Sequence, residues 1–174
     1  MSHLTPYQCN DMVIAKDGTA YVGNFGADNV ESKIHKTCLI SVTQEGETKI
    51  CADGLLFPNG TVISPDGKEL IVGETFGGNL TSFQINESGE LSHRTIWARV
   101  MPLHYKIITS IIRFLNIPLK ESNSTPFPVP DGICLDSDNG IWVASPTTAE
   151  VIRYKKGGKI TDRIATPQPA YACM

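Results

Sequence analysis

Apolar and polar positions alternate along most of this chain in short runs that break at Gly, Pro, Asp and Asn, which predicts strands and tight turns. Thr61-Val62-Ile63 precedes the turn Ser64-Pro65-Asp66-Gly67, and Glu69-Leu70-Ile71-Val72 follows it. Pro at the second turn position and Gly after Asp supply the backbone geometry of a tight reversal. Leu80-Thr81-Ser82-Phe83-Gln84-Ile85 then alternates as a half-buried strand does, and Asn86-Glu87-Ser88-Gly89 turns into Thr95-Ile96-Trp97. Cys38-Leu39-Ile40-Ser41-Val42 before Glu45-Gly46, and Val151-Ile152-Arg153-Tyr154 before Gly157-Gly158, repeat the plan elsewhere.

The plan recurs in a fixed frame. Asn10, Asn59 and Asp131 each head an apolar run, and Asp17-Gly18, Asp66-Gly67 and Asp138-Asn139 follow seven residues later. Eleven residues past each leading residue stand the apolar anchors Tyr21, Leu70 and Trp142, with Val22, Ile71 and Val143 directly after. The first interval is 49 residues and the second 72, the surplus being a segment of different composition. A repeat of about 40 to 50 residues made of short strands is the signature of propeller blades. The expected fold is therefore all-β, an incomplete β-propeller of about three four-stranded blades with one helical insertion. The blades fall at about 8–56, 57–99 and 128–170 of a single domain, 1–174, with the insert at about 100–127. Closed propellers carry about four to eight blades, so the chain is expected to be part of a longer protein.

In the insert, Leu103, Ile107, Ile108, Ile111, Ile112 and Leu115 recur at helical spacing, with Lys106, Thr109, Ser110, Arg113 and Asn116 opposite them. The helix is too short and too charged to span a bilayer. Because the chain re-enters the third blade just before Asp131, a lid favouring apolar substrates is expected here, beside the alternatives of a helix that only packs on the propeller or lies on a membrane surface.

Composition changes the picture little. A formal charge of -3 and a pI near 5.8 give no basic stripe, which argues against a nucleic-acid partner. Cys9, Cys38, Cys51, Cys134 and Cys173 are odd in number, widely spaced and form no C-x-x-C pair. A reducing, cytoplasmic setting is expected from them and from the absence of a secretion-type leader in these residues. No G-x-S-x-G elbow occurs, and His3, His35, His93 and His104 occupy no repeated position, which argues against a serine-hydrolase triad. Asp136-Ser137-Asp138-Asn139-Gly140 is not an EF-hand loop, because its twelfth position is Thr147 rather than Glu.

Three stretches carry a resemblance. They are Asn10-Asp11-Met12-Val13-Ile14-Ala15 with Tyr21-Val22-Gly23-Asn24-Phe25-Gly26, Phe57-Pro58-Asn59-Gly60 with Ser64-Pro65-Asp66-Gly67, and Pro130-Asp131-Gly132-Ile133-Cys134-Leu135-Asp136. Together, in this order and at these spacings, they resemble the senescence marker protein, regucalcin and gluconolactonase family over the whole chain outside the insert. The resemblance implies six blades, one divalent cation near the central channel, and hydrolysis of small lactones or esters. It also implies that Asn59 and Asp131 are metal ligands, that Asp131 is the general base, and that Asn10 touches substrate. Two departures stand out: the family's first metal ligand, a Glu, has no counterpart, and an Arg two residues before the Asn-Asp pair is replaced by Gln8.

The repeat makes an independent case for the cation. Asn59 and Asp131 enter successive inner strands at equivalent places, so their oxygens are expected to meet near one axis. A carboxylate and an amide oxygen suit a hard cation, Ca²⁺ first, with Mg²⁺, Mn²⁺ or Zn²⁺ as alternatives. The competing reading of each Asx residue is a turn cap. Glu74, at a strand end, is a further candidate for substrate binding beside Gln8 and Asn10; Ser145 lies one residue before the corresponding place in the third blade. The expected activity is a metal-dependent lactone or ester hydrolase; the alternatives are a non-catalytic metal- or ligand-binding propeller and a strictosidine synthase-like propeller. The oligomeric state is not legible in the sequence.

Overall fold

A computed structural model describes residues 1–28, 33–102, 104 and 127–174. The expected helix of the insert, Leu103 to Leu115, lies outside the described residues apart from His104. The described residues form three four-stranded antiparallel meanders, each an up-and-down blade. Blade one is β1 (Cys9–Ile14), β2 (Ala20–Asn24), β3 (Thr37–Val42) and β4 (Thr48–Leu55). Blade two is β5 (Pro58–Ile63), β6 (Glu69–Glu74), β7 (Asn79–Ile85) and β8 (Leu91–Arg99). Blade three is β9 (Ile133–Leu135), β10 (Ile141–Ser145), β11 (Glu150–Lys155) and β12 (Lys159–Ala165). The inner strands β1, β5 and β9 lie side by side, β5 between the other two, as the hub of a propeller requires.

The blades stack through two apolar layers. Tyr21, Leu39 and Leu55 of blade one meet Leu70, Val72 and Phe83 of blade two. On its other face, blade two sets Ile71, Leu80 and Trp97 against Ile133, Ile141, Val143, Ile152 and Tyr154 of blade three. Blade two is thus apolar on both faces, while the outer face of β12 is exposed along its whole length. Tyr21 is fully buried, yet its hydroxyl donates to Gly89 O at 2.7 Å, in the β7–β8 turn of the next blade. Burial pushes its phenol up to about 12, so it stays a donor at all ordinary pH.

The structure corrects the repeat by one residue. The first turn of blade one closes with Ala15 N donating to Thr19 O, and that of blade three with Asp136 N donating to Gly140 O. In blade two the closure is Ser64 N to Glu69 O, one residue longer, with Ser64 Oγ accepting from Glu69 N at 2.9 Å and donating to Asp66 Oδ1 at 2.6 Å. The longer turn slides β6 along β5. Tyr21 lies opposite Val13, Trp142 opposite Cys134, and Ile71, not Leu70, opposite Val62. Ile71 is therefore the structural counterpart of Tyr21 and Trp142, and Leu70 faces back towards blade one. Trp142 is only half-buried, because no further sheet among the described residues covers it.

The turn chemistry is local and electrostatic. Gly18, Gly67 and Asn139 hold positive φ of 85°, 75° and 55° at matching places, which Gly and Asn tolerate best. In blade three, Asp136 accepts from Asp138 N and Gly140 N and receives Arg153 Nε at 2.6 Å, a hairpin cap as the failed EF-hand pattern implied. Arg153 beside it holds the Asp136 carboxyl far below the usual carboxylate range.

Two outcomes follow from this packing. Tyr21→Phe should cost about 1 kcal/mol in urea unfolding through the lost interblade hydrogen bond, and an unchanged midpoint would contradict the role given to that hydroxyl. A carboxyl depressed in the folded state stabilises it above the unfolded pKa, and the contribution is lost as pH falls through the folded value. Stability of the native chain should therefore decline below about pH 4, and Asp136→Asn should be less stable at neutral pH and flatter in acid.

Candidate metal centre

The leading residues of the three units sit where the inner strands begin. β1 and β5 carry a bulge there, with register shifting between Cys9 and Met12 and between Pro58 and Thr61. A bulge inserts one residue that re-aims a side chain out of the ladder, and the inserted stretches contain Asn10-Asp11 and Asn59-Gly60. In blade three, Asp131 N donates to Ala144 O and Ala144 N to Gly132 O, which holds Asp131 just ahead of β9.

Glycine lets these strands approach. Gly60 N donates to Asp131 O at 3.1 Å, and a Cβ on Gly60 would lie 2.4 Å from Ile133 N and 2.6 Å from Asp131 O. A Cβ on Gly132 would lie 2.8 Å from Tyr171 O, to which Gly132 N donates at 2.9 Å, so the C-terminal segment runs beside β9 as Asp131 runs beside β5.

Within this frame Asn59 and Asp131 meet. Asn59 is 5% exposed, and the Gly60 N to Asp131 O bond beside it brings its side chain near the half-buried Asp131 carboxyl. Asn59 Nδ2 also donates to Thr75 Oγ1 at 3.1 Å, and Thr75 Oγ1 donates to Pro130 O at 2.8 Å. Burial pushes the Asp131 carboxyl up to about 6, against the opposing pull of the neighbouring Asn59 amide, and the negative charge of Asp11 raises it further. Asn10 is half-buried and donates through Nδ2 to Pro58 O at 3.3 Å, next to Asn59. Gln8 is exposed, and its carbonyl accepts from Phe25 N.

Thr75 and Asp11 received no role from the sequence. Asp11 had a usable signal, its place beside Asn10 in the repeat; Thr75 had none, because only the shifted register of β6 shows which residue past the strand turns inward. Among the described residues no three His, Cys, Asp or Glu side chains are grouped for a metal. The donor set is instead mixed: an amide, a carboxylate forced into partial burial, and a second carboxylate near enough to raise it. Excess negative charge with oxygen donors fits a hard divalent cation. A separate cleft lies at the other end of the sheets, lined by the turn residues Lys16, Asp17, Pro65 and Asp66, and includes none of these groups.

Glu74 is placed differently. It is 3% exposed, Leu56 N donates to Oε2 at 2.8 Å, and Arg94 Nη2 and the Thr81 hydroxyl donate to Oε1. Arg94 Nη1 donates onward to Asp53 O in blade one. The slip in register makes Glu74, Asn24 and Ser145 counterparts at the ends of β6, β2 and β10, and all three are buried polar latches. Asn24 accepts from Gly26 N and the Thr37 hydroxyl and donates to Cys38 O; Ser145 Oγ accepts from Val129 N at 3.3 Å. Both Glu74 oxygens are thus committed to holding blades one and two together. Glu74→Ala should cost about 2 kcal/mol of stability by orphaning Leu56 N–H and Arg94, while leaving cation affinity in calorimetric titration within about twofold of the unmutated chain. A tenfold fall in affinity without loss of stability would return Glu74 to the site.

Comparisons with known proteins agree with this architecture. The chain is similar to a luciferin-regenerating enzyme, with a TM-score of 0.73 at 16% identity over 98% of this chain and 50% of that one. It is similar to a gluconolactonase from Xanthomonas campestris, with a TM-score of 0.67 at 24% identity over 95% of this chain and 50% of that one. It is also similar to regucalcin from Agrobacterium tumefaciens, described as a calcium-binding protein, with a TM-score of 0.65 at 17% identity over 93% and 46%. The chain spans about half the length of these structures, which fits an incomplete propeller. The family model described as the SMP-30/gluconolactonase/LRE-like region matches residues 2–174, and the chain belongs to that family.

Proposed function

We propose that this chain supplies the metal-binding and proton-accepting half of a hydrolase that opens small lactones or esters. The observation that carries the reading is the close approach of two inner-strand entries, where Gly60 N donates to Asp131 O and Thr75 ties Asn59 to Pro130 O, so that Asn59 and Asp131 stand side by side across two blades. Asn59 and Asp131 would hold one divalent cation, Ca²⁺ first among the candidates, with water and substrate completing the six to eight oxygens such an ion takes. When bound, the ion supplies Lewis-acid polarisation of the substrate carbonyl.

The chain's own residues do the rest. Asp131 accepts a proton from the attacking water. The Thr75 hydroxyl and the Pro130 carbonyl fix Asn59 and the entry to Asp131, so the pair does not have to be ordered during the reaction. Asn10, anchored on Pro58 O, stands where it can meet the alkyl oxygen or hydroxyls of a bound substrate. Gln8, exposed at the approach to Asn10, offers a neutral amide where the family pattern has a charge.

The test is a panel of small lactones and aryl esters assayed with Ca²⁺, Mg²⁺, Mn²⁺ or Zn²⁺ and with chelator. The reading expects turnover that chelator abolishes and readdition restores, and a fall of about 10²- to 10⁴-fold for Asp131→Asn. Turnover retained in chelator or in Asp131→Asn would refute it. Cation binding with no turnover of any substrate would assign the site to binding alone.

A further inference from the structure

Three phenylalanines from three separate loops stand at the end of the sheets that carries Asn59 and Asp131. Phe25 follows β2, Phe57 precedes β5 and Phe76 follows β6. Phe57 stacks on Phe25 with ring centres 5.0 Å apart and planes 26° apart, and Phe76 meets Phe57 edge-on at 5.2 Å and 77°. The cluster grades from closed to open: Phe57 is 8% exposed, Phe25 is half-buried and Phe76 is 36% exposed.

The backbone spends strain to place the middle ring. Phe57 has φ of 59°, a region that bulky side chains avoid, and it precedes Pro58, which favours extended geometry in the residue before it. Such outliers persist where the surroundings over-determine them and gather at functional sites. Here the surroundings are the site itself. Phe57 is two residues from Asn59, and its carbonyl accepts from Thr75 N at 3.2 Å. Thr75, which holds Asn59 and Pro130 O, is joined directly to Phe76. The same two loops therefore carry the polar pair and the rings.

We infer that Phe25, Phe57 and Phe76 form an apolar subsite for the non-reacting hydrocarbon part of the substrate, so that the preferred substrate is a lactone carrying an alkyl chain rather than a bare or polyhydroxylated ring. The inference rests on the lactone-hydrolase reading for the reacting end only; the subsite itself is a binding surface.

The experiment compares δ-decalactone with δ-valerolactone on the full chain with divalent cation. The unmutated chain should favour δ-decalactone in kcat/KM. Phe76→Ala should lower kcat/KM for δ-decalactone by about tenfold and leave δ-valerolactone within about twofold. Phe76→Leu, which keeps an apolar side chain at the same place, should retain most of the preference for δ-decalactone and so separates loss of the contact from misfolding. Equal losses on both lactones, or no loss on either, would overturn the subsite. If neither lactone is turned over, the hydrolase reading fails separately and the same pair is titrated by ligand-observed NMR. Tighter binding of δ-decalactone that Phe76→Ala weakens about tenfold would support the subsite; equal binding, no binding, or no effect of the substitution would overturn it.

Discussion

The structure depends on one close approach, that of Gly60 to the backbone of Asp131 and Ile133. The hydrogen bond from Gly60 N to Asp131 O fixes two inner strands at a separation that leaves no room for a side chain between them. Everything at the hub is set by that distance. It brings the Asn59 amide to the Asp131 carboxyl, puts Thr75 within reach of both Asn59 and Pro130 O, and presses the apolar faces of blades two and three together. Glycine meets this need by having no Cβ, so the constraint is steric before it is chemical.

The cost of the arrangement falls on Asp131. A carboxyl raised by burial and by Asp11 is a charged group held where its charged form is disfavoured, and at neutral pH that opposes folding. Natural sites accept such a penalty where function needs the group. The buried polar residues that complete the blades show the opposite economy. Asn24, Glu74 and Ser145 are each saturated with hydrogen bonds, and their burial closes loops instead of opening a site.

Much of this was legible in the sequence because a propeller writes its blades one after another. The alternation around Val62 and Thr81, the Asp-Gly turns and the leading Asx residues gave three four-stranded units and the equivalent places of Asn59 and Asp131 at the entries of neighbouring inner strands. What stayed hidden depends on register. A turn one residue longer in blade two cannot be distinguished from the others by its Asp-Gly step, and it moved the anchor from Leu70 to Ile71. The same slip concealed that Glu74 matches Asn24 and Ser145 and shares their buried hydrogen bonding. Thr75 and the Phe25–Phe57–Phe76 cluster come from loops whose spacing carries no period, and only three-dimensional neighbours identify them.

The most direct measurement is a crystal of this chain soaked with Mn²⁺ and examined by anomalous scattering. The account predicts one strong peak within coordination distance of both Asn59 Oδ1 and an Asp131 carboxylate oxygen. A peak elsewhere on the hub, or none at a concentration that saturates binding in solution, would contradict the claim that these two side chains share a cation.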